Sequence, residues 1–289
     1  NRDREFSKEE NEELVNYLRE GYWEDIRNRD PRSWDTSEDN LITYDINEPL
    51  QSANEAISKA FQAWADIADI RFEEVDTNGD INFNTIDTDF ANSYSDTDDD
   101  GNITENDISL ENEDNWDANV GEYNFTTIMH EIGHSLGLGH GGPYNFSISQ
   151  EERAQALPND SSQFTIMSYQ DEGRTGADHF GSTETTPMLV DMMAIQDIYG
   201  ANTDTRSGDT VYGFNATTDR AAFDFASNNV AATIYDSGGR DTINLSGFDT
   251  AQTLTLESGT FSSVGEGEKN LSIMYNTTIE NAVGGSGSD

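Results

Sequence analysis

The sequence has no cysteine, so no disulfide can staple the fold and no thiolate can hold a metal. Cations are the alternative staple. Positive charge is also scarce: 15 lysines and arginines, three of them lysine, face 57 aspartates and glutamates, for a net charge of −42. A chain of this sign repels polyanions, which argues against nucleic acid and anionic membranes as partners. Such self-repulsion weakens a compact fold in dilute buffer, and salt or bound cations relieve it. A saline habitat, heavy calcium binding and a merely solvated acidic surface are all consistent with this balance. No apolar run approaches the roughly 18 residues of a membrane helix, so membrane insertion is not expected. No signal peptide is visible at Asn1, and the sequence reads as a mature chain that has shed a pro-segment. Its 289 residues suffice for one large or two medium domains with a substantial core.

Histidine is rare as well, and its placement carries most of the information. Of four in the chain, three fall in His130-Glu131-Ile132-Gly133-His134-Ser135-Leu136-Gly137-Leu138-Gly139-His140, the pattern HExxHxxGxxH. Phe125, Ile128, Ile132 and Leu136 recur every three to four residues and predict a helix, with Asn124 or Thr126 as its cap. On that helix His130 and His134 share a face one turn apart, and Glu131 is placed to take a proton from a metal-bound water. Gly137 can adopt positive φ and end the helix sharply, so that His140 reaches the same ion from another direction. Three imidazoles leave a tetrahedral zinc one open position, with Glu131 as general base.

About thirty residues on stands Ser162-Gln163-Phe164-Thr165-Ile166-Met167-Ser168-Tyr169, in which Met167 is expected to form an apolar floor beneath the metal. Pro187 to Gly200 predicts a core helix with Leu189, Met192, Met193, Ile195 and Tyr199 on a broad apolar face. The histidine string, the FTIMSY segment and this closing helix together resemble the serralysin family of metzincin zinc peptidases. The resemblance implies that Tyr169 serves as an extra zinc ligand and as an oxyanion stabiliser. It also implies a secreted, extracellular zinc endopeptidase acting on protein or peptide substrates, monomeric, with a proteinaceous inhibitor as a further candidate partner. The expected fold is an α+β metzincin catalytic domain over 1–200, a twisted mixed sheet with the active-site helix. An all-β domain over 201–289 would follow, entering a calcium-binding parallel β-roll. Calcium-stabilised adhesion or scaffolding on an inactive protease fold is the alternative from another class. Zinc-dependent hydrolysis of a non-peptide amide is a third reading.

Elsewhere the pattern is coarser. Leu14, Val15, Tyr17 and Leu18 predict a short amphipathic helix, with Tyr22, Trp23 and Trp34 packed on the body. Leu41–Ile46 alternates like a strand, and Gln51 to Ile67 carries a helical stripe. Ile70–Val75 and Ile81–Thr85 read as two strands of a hairpin, because Asn78-Gly79 lies between them, with a plain turn over 76–80 preferred to a metal site. Ile108–Leu110 is the candidate for an edge strand beside the cleft against which substrate could pair. Residues 96–107 match a calcium loop in Asp96, Asp98, Asp100, Asn102 and Asp107, with a solvated acidic loop as the competing reading. His179, in a Gly/Asp loop, is a candidate to line the cleft, with a plain surface position as the preferred reading.

After Ala201 the helical period gives way to short alternating runs at 210–214, 232–235, 242–245, 253–256, 271–275 and 278–283. Asp236-Ser237-Gly238-Gly239-Arg240-Asp241 presents carboxylates and glycines together. Gly284 to Asp289 matches one GGxGxD unit of a calcium-binding β-roll, after which the sequence stops where the family usually continues. By the family resemblance, backbone oxygens of Arg206, Gly208 and Thr210 would ligate calcium at the junction. Asp236, Gly238, Gly239, Asp241, Thr278 and Glu280 would complete a pair of sites. Gly141, where the family has proline after the third histidine, is a departure, as are Ser135 and Gly139 in place of alanines.

Overall fold

A computed structural model describes residues 4–88, 90–112 and 116–287. The last two positions of the GGxGxD unit, Ser288 and Asp289, lie outside the described residues. The chain opens with α1 (Lys8–Asn16), whose start is fixed by a capping box between Ser7 and Glu10. It continues through a π-helical turn, Tyr17–Gly21, into α2 (Tyr22–Asp25). Leu14, Val15, Leu18, Tyr22 and Trp23 face inward from this segment.

The first half is built on a five-stranded sheet. Its strands are β1 (Leu41–Ile46), β2 (Arg71–Glu74), β3 (Ile81–Ile86), β4 (Asn92–Thr97) and β5 (Ile103–Glu111), in the order β2-β1-β3-β5-β4. All neighbours are parallel except β4 and β5, so the sheet is mixed as expected. The hairpin expected between the second and third strands does not form. Both pair with β1, on opposite sides, and at different levels: Leu41 to Tyr44 face β2, and Tyr44 to Ile46 face β3. Because of that stagger the chain need only step across β1 near Tyr44, and a short connection suffices for two parallel strands. Asn78 takes positive φ there (58°), and a Cβ on Gly79 would lie 2.6 Å from the Tyr44 carbonyl carbon. The Asn-Gly turn signal is therefore real, but it serves a crossing rather than a reversal.

A 3-10 turn over Glu48–Ala53 leads into α3 (Asn54–Ala65), which buries Ile57, Ala60, Phe61 and Trp64. It packs beside α4 (Tyr123–Ser135), and the Trp64 indole donates to the Met129 carbonyl at 3.1 Å. After α4 come a short α5 (Gln150–Gln155) and α6 (Leu189–Tyr199), which Gly200 ends with φ of 80°. One apolar core runs from Leu14 to Tyr199 and is joined by Tyr235 and Met274.

A second core, spanning Tyr212 to Ile279, lies between short strands. β6 (Val211–Gly213), β8 (Thr242–Asn244) and β11 (Asn281–Val283) form one parallel sheet, in the order β11-β8-β6. β7 (Ala232–Ile234) and β10 (Leu271–Ile273) are parallel, and β9 (Phe261–Ser262) adds to β10 antiparallel. The run at 253–256 forms only a bridge between Thr253 and Ser263, because the Thr255 N–H goes to the Ser262 hydroxyl instead of a strand carbonyl. Among the described residues no helix is long and apolar enough to cross a membrane.

Candidate active site

Helix α4 carries the first two histidines. Its start is Glu122, without a side-chain cap, so neither Asn124 nor Thr126 caps it. Thr126 instead bonds the Thr183 hydroxyl at 2.8 Å and the Glu184 carbonyl at 3.0 Å, which ties the first turn to the far side of the cleft. The helix ends at Ser135, and Gly137 turns the chain with φ of 103°. A Cβ there would sit 2.2 Å from the Arg32 carbonyl oxygen, so both conformation and space require glycine.

A helix end leaves carbonyls without partners. Here three aromatic side chains from distant segments supply the missing donors. The Trp34 indole reaches Ser135 O at 2.8 Å, the Tyr199 hydroxyl reaches Leu136 O at 2.9 Å, and the Trp23 indole reaches Gly137 O at 2.8 Å. The Gly139 N–H then donates to Leu18 O at 2.7 Å, and the Tyr22 ring stands edge-on to His140 with centroids 5.1 Å apart. A Cβ on Gly139 would meet that ring at 2.3 Å, and one on Gly141 would meet Asp160 Oδ1 at 2.3 Å. These two departures from the family pattern thus follow from packing around the third histidine.

His130, His134 and His140 converge. One ring nitrogen from each lies within 4.8 Å of the others, and the His134 and His140 Nε2 atoms are 3.1 Å apart. Every Nδ1 faces a backbone carbonyl: Ile166 O at 2.7 Å for His130, Leu138 O at 2.8 Å for His134 and Tyr144 O at 3.0 Å for His140. Each Nδ1 must therefore carry the proton, and the three Nε2 lone pairs are left to face one another. Burial lowers all three rings, His130 to about 4, which keeps them neutral. Three convergent lone pairs on neutral imidazoles fit a divalent cation. Tetrahedral zinc ligands at 2.0–2.1 Å stand about 3.3 Å apart, close to the 3.1 Å between the His134 and His140 nitrogens.

Glu131 is 5 % exposed and lines the cleft; burial pushes its carboxyl up to about 8, and its Oε2 has no hydrogen-bond partner among the described residues. Tyr169 closes another side. Its ring lies 4.4 Å from His140 and 6.0 Å from His130, centroid to centroid, and stacks on Tyr144 at 5.0 Å. Met167 is fully buried under α4, with its sulfur 2.7 Å from where a Gly133 Cβ would be. Met167 therefore packs beneath the stretch of α4 that joins His130 and His134. The cleft above measures about 490 Å³ and is also lined by Phe90, Trp116, Phe146 and Glu184.

Several supporting residues carried no sequence signal. Asp191 in α6 is fully buried and accepts from the Thr165 hydroxyl at 2.6 Å and from the Ile166 and Met188 N–H groups at 2.8 Å. It thus positions the carbonyl that orients His130. An acid within the otherwise apolar, buried run 189–195 is the one clue that could have marked it. Tyr144 donates to Asp160 at 2.9 Å and accepts the Tyr169 N–H at 3.1 Å, which joins the third histidine to the methionine turn. His179 is not at the surface: it is 1 % exposed, with Nδ1 3.2 Å from Glu184, so an acid partner brought it inside. The edge strand beside α4 is β4; Ile108–Leu110 belongs to β5, paired on both sides.

The two calcium expectations fare differently. Residues 96–107 form the β4–β5 hairpin. Asp96 faces Glu105 across it and Asp107 faces Tyr94, while Asp98 accepts the N–H groups of Asp100 and Asn102 in the turn. Asp107 accepts from Asn84 at 3.2 Å. The strand pairing holds Asp107 away from the tip that holds Asp98, Asp100 and Asn102, so the five do not close into a loop around one ion. At the junction the expected residues do gather. The Thr210 N–H donates to Asp241 at 2.8 Å, the Thr210 hydroxyl to Gly208 O at 2.8 Å, and the Asp241 N–H to Glu280 at 2.7 Å. Gly239 packs so closely that a Cβ would lie 2.5 Å from Gly208 O, and the Gly238 N–H donates to Asp236 at 2.9 Å. Asp241 is fully buried. Burial, with Asp236, Glu280 and Asp209 nearby, lifts it to about 6, and its Oδ2 has no partner among the described residues. That orphaned oxygen fits a cation. Arg206 has φ of 48° and sends its guanidinium away, to Asp66 at 2.7 Å. Thr278 is exposed.

Comparison with known proteins agrees with this geometry. The family model described as Matrixin matches residues 33–148, and that described as Peptidase M10 serralysin C terminal matches 201–289. Serralysin from Proteus mirabilis is 39% identical over 274 residues, 86% of this chain and 55% of that protein. Serralysin C and serralysin A from Dickeya chrysanthemi are 47% identical over 171 residues and 40% over 248, covering 58% and 80% of this chain and 36% and 50% of theirs. The chain spans about half the length, or less, of these curated relatives. With both family models matched in order and the relatives aligned through the histidine string and the methionine turn, the chain belongs to the serralysin-type metzincins.

Proposed function

We infer that the chain is a zinc endopeptidase that hydrolyses protein substrates. One observation carries the reading: three Nδ1-anchored imidazoles turn their Nε2 lone pairs to a single point beside the unpartnered carboxylate oxygen of Glu131, in an open cleft. His130, His134 and His140 would hold the zinc, which when bound supplies the Lewis acidity that lets a water give up its proton near neutral pH. Glu131, whose Oε2 is unpartnered beside the three imidazoles, takes that proton and returns it to the amine as the C–N bond breaks. The Tyr169 hydroxyl, which burial keeps protonated, can donate to the carbonyl oxygen as negative charge grows on it.

In the same reading calcium is held at the junction by Gly208, Thr210, Asp236, Gly238, Gly239, Asp241 and Glu280, with Arg206 and Thr278 beside them, and the join between the two parts lies at 200/201. Oxygen-ligand sites of extracellular modules bind at about 10⁻⁴–10⁻³ M, so a secreted setting suits them. The test is casein hydrolysis before and after exhaustive zinc removal, with zinc restored and with Glu131→Gln. Loss on removal, recovery on restoration, and a zinc-loaded but inactive Glu131→Gln protein are expected. Hydrolysis that persists without zinc, or in Glu131→Gln, would refute the reading.

A further inference from the structure

Arg32 is a buried cation without a counter-charge, in a chain with 57 acids. It is 6 % exposed. Ion pairs among the described residues engage Arg4, Arg19, Arg71, Arg206 and Arg220, but not Arg32. Its Nε is buried and has no acceptor among the described residues. What it does meet is the Trp23 ring, whose centroid lies 4.1 Å from the guanidinium carbon. Burial lowers the Arg32 pKa to about 10. Arg29 and Arg27 nearby add to that, and Asp30 offsets only part of it. A charge taken out of water with no partner is costly to the fold.

Arg32 lines a cavity of about 220 Å³ together with Arg19, Ser33, Asp100, Asn102 and Asp197. The chain around this cavity is fixed. The Ser33 N–H donates to Gly101 O at 3.3 Å and the Ile103 N–H to Ser33 O at 2.8 Å, which pins the segment after Arg32 to the β4–β5 turn. Gly101 has φ of 86°, and a Cβ on it would lie 2.8 Å from Pro31 O. The acids at hand face other groups. Asp197 accepts from Arg19 at 3.4 Å, and Asp98 accepts the Asn102 side chain at 2.9 Å. Arg19 nevertheless keeps its own Nε buried without an acceptor among the described residues. Two arginines of one cavity thus each hold an N–H that nothing in the fold receives.

We propose that this cavity binds a small monovalent anion, of the size of chloride or bromide, with the Arg32 guanidinium as its principal ligand and Arg19 and the Ser33 hydroxyl as further donors. The anion supplies the counter-charge that the fold withholds, and hydrogen bonds from a guanidinium to an anion are stronger than those between neutral groups. Asp100 and Asp197 line the same cavity and the net charge is −42, so doubly charged oxyanions are disfavoured there. Salt then acts on this chain twice. It screens the repulsion among the surface acids, and it fills one specific site. Binding here is independent of peptidase activity.

The test is thermal unfolding of the zinc- and calcium-loaded protein in sodium bromide, from low to molar concentration, beside Arg32→Met and Arg71→Gln. Arg71 pairs with Asp39 at the surface, so Arg71→Gln removes the same unit of charge away from the cavity. The melting temperature of the parent should rise by about 2–5 °C more than that of Arg32→Met, the excess should saturate, and Arg71→Gln should follow the parent. Equal, unsaturated rises in all three proteins would mean screening alone and overturn the site. Sodium sulfate at matched ionic strength should not reproduce the excess; a larger excess with sulfate would overturn the assignment to a monovalent anion. A second measurement needs no variant, and decides the matter even where Arg32→Met does not fold. Crystals of the parent protein soaked in sodium bromide and measured at the bromine absorption edge should show an anomalous peak against the Arg32 guanidinium. Bromide peaks elsewhere with none in this cavity would overturn the proposal.

Discussion

The packing of Met167 beneath α4 offers a quantitative test. Gly133 lies in α4 between the two helical histidines, and a Cβ added there would meet Met167 Sδ at 2.7 Å, Trp64 Cζ2 at 3.1 Å and Met167 Cε at 3.4 Å. Gly133→Ala gains up to about 1 kcal/mol of helix propensity and loses about 1–3 kcal/mol to overpacking, for a net cost of about 0–2 kcal/mol. Met167→Ala empties a fully buried site and should cost about 2–5 kcal/mol. In the double variant Sδ and Cε are gone, so two of the three close contacts vanish and the new methyl refills part of the cavity. Its cost should fall below the sum of the single costs by about 1–3 kcal/mol. Urea denaturation followed by tryptophan fluorescence is suited to the measurement, because Trp34, Trp64 and Trp116 lie in the first core and Trp23 is buried as well. Zinc and calcium must be held fixed across the four proteins, since ligands that bind only the folded state shift its stability. Additivity within about 0.5 kcal/mol would refute direct packing of the methionine turn on the helix at Gly133.

Three further outcomes follow from the same geometry. Asp191→Asn cannot satisfy three donors with one carbonyl oxygen and adds N–H groups without acceptors, so unfolding should become easier by about 2–3 kcal/mol. Zinc affinity, measured by chelator competition, should also weaken, because Ile166 O loses its anchor; unchanged affinity would separate Asp191 from the metal site. Trp34→Phe leaves Ser135 O without its donor and should cost about 1–3 kcal/mol in thermal or urea unfolding. Dialysis into calcium-free buffer should lower the melting temperature and added calcium should restore it, while Asp241→Asn should abolish that dependence; an Asp241→Asn protein that still responds fully to calcium would place the cation elsewhere.

Local chemistry was legible in the sequence; partners distant in the chain were not. The histidine spacing, the glycine that must turn at 137 and the apolar face of α6 are each properties of a dozen residues, and the structure holds them where the spacing put them. The Asn78-Gly79 signal marked a turn, but whether that turn reverses the chain or carries it across β1 depends on which stretch of β1 each strand borders. Strand β4, Asn-Ser-Tyr-Ser-Asp-Thr, has no apolar alternation because it is an edge strand, so hydrophobic patterning could not find it. The aspartates at 96–100 met a calcium-loop template because carboxylates that bind an ion and carboxylates that cap backbone N–H groups in a turn have the same composition. His179 was misjudged because a polar neighbourhood in sequence says nothing of Glu184 folding over it.

The eleven-residue string supplies the ligands but not the force that keeps them together. Three lone pairs aimed at one point repel each other whenever the cation leaves, so something outside the string must oppose that repulsion. The restraints are the Ile166, Leu138 and Tyr144 carbonyls on the ring nitrogens, and the Trp34, Tyr199 and Trp23 donors on consecutive carbonyls of the turn. Two of those three aromatic donors come from the N-terminal forty residues and one from the end of α6, so the first core must be complete before the site is rigid. The second helical histidine and the glycine turn are thus held by the ends of the catalytic half, and the first histidine by the methionine turn and Asp191. A change that leaves all eleven residues intact, at Trp23, Trp34 or Asp191, should for that reason loosen the metal while leaving every ligand in the chain.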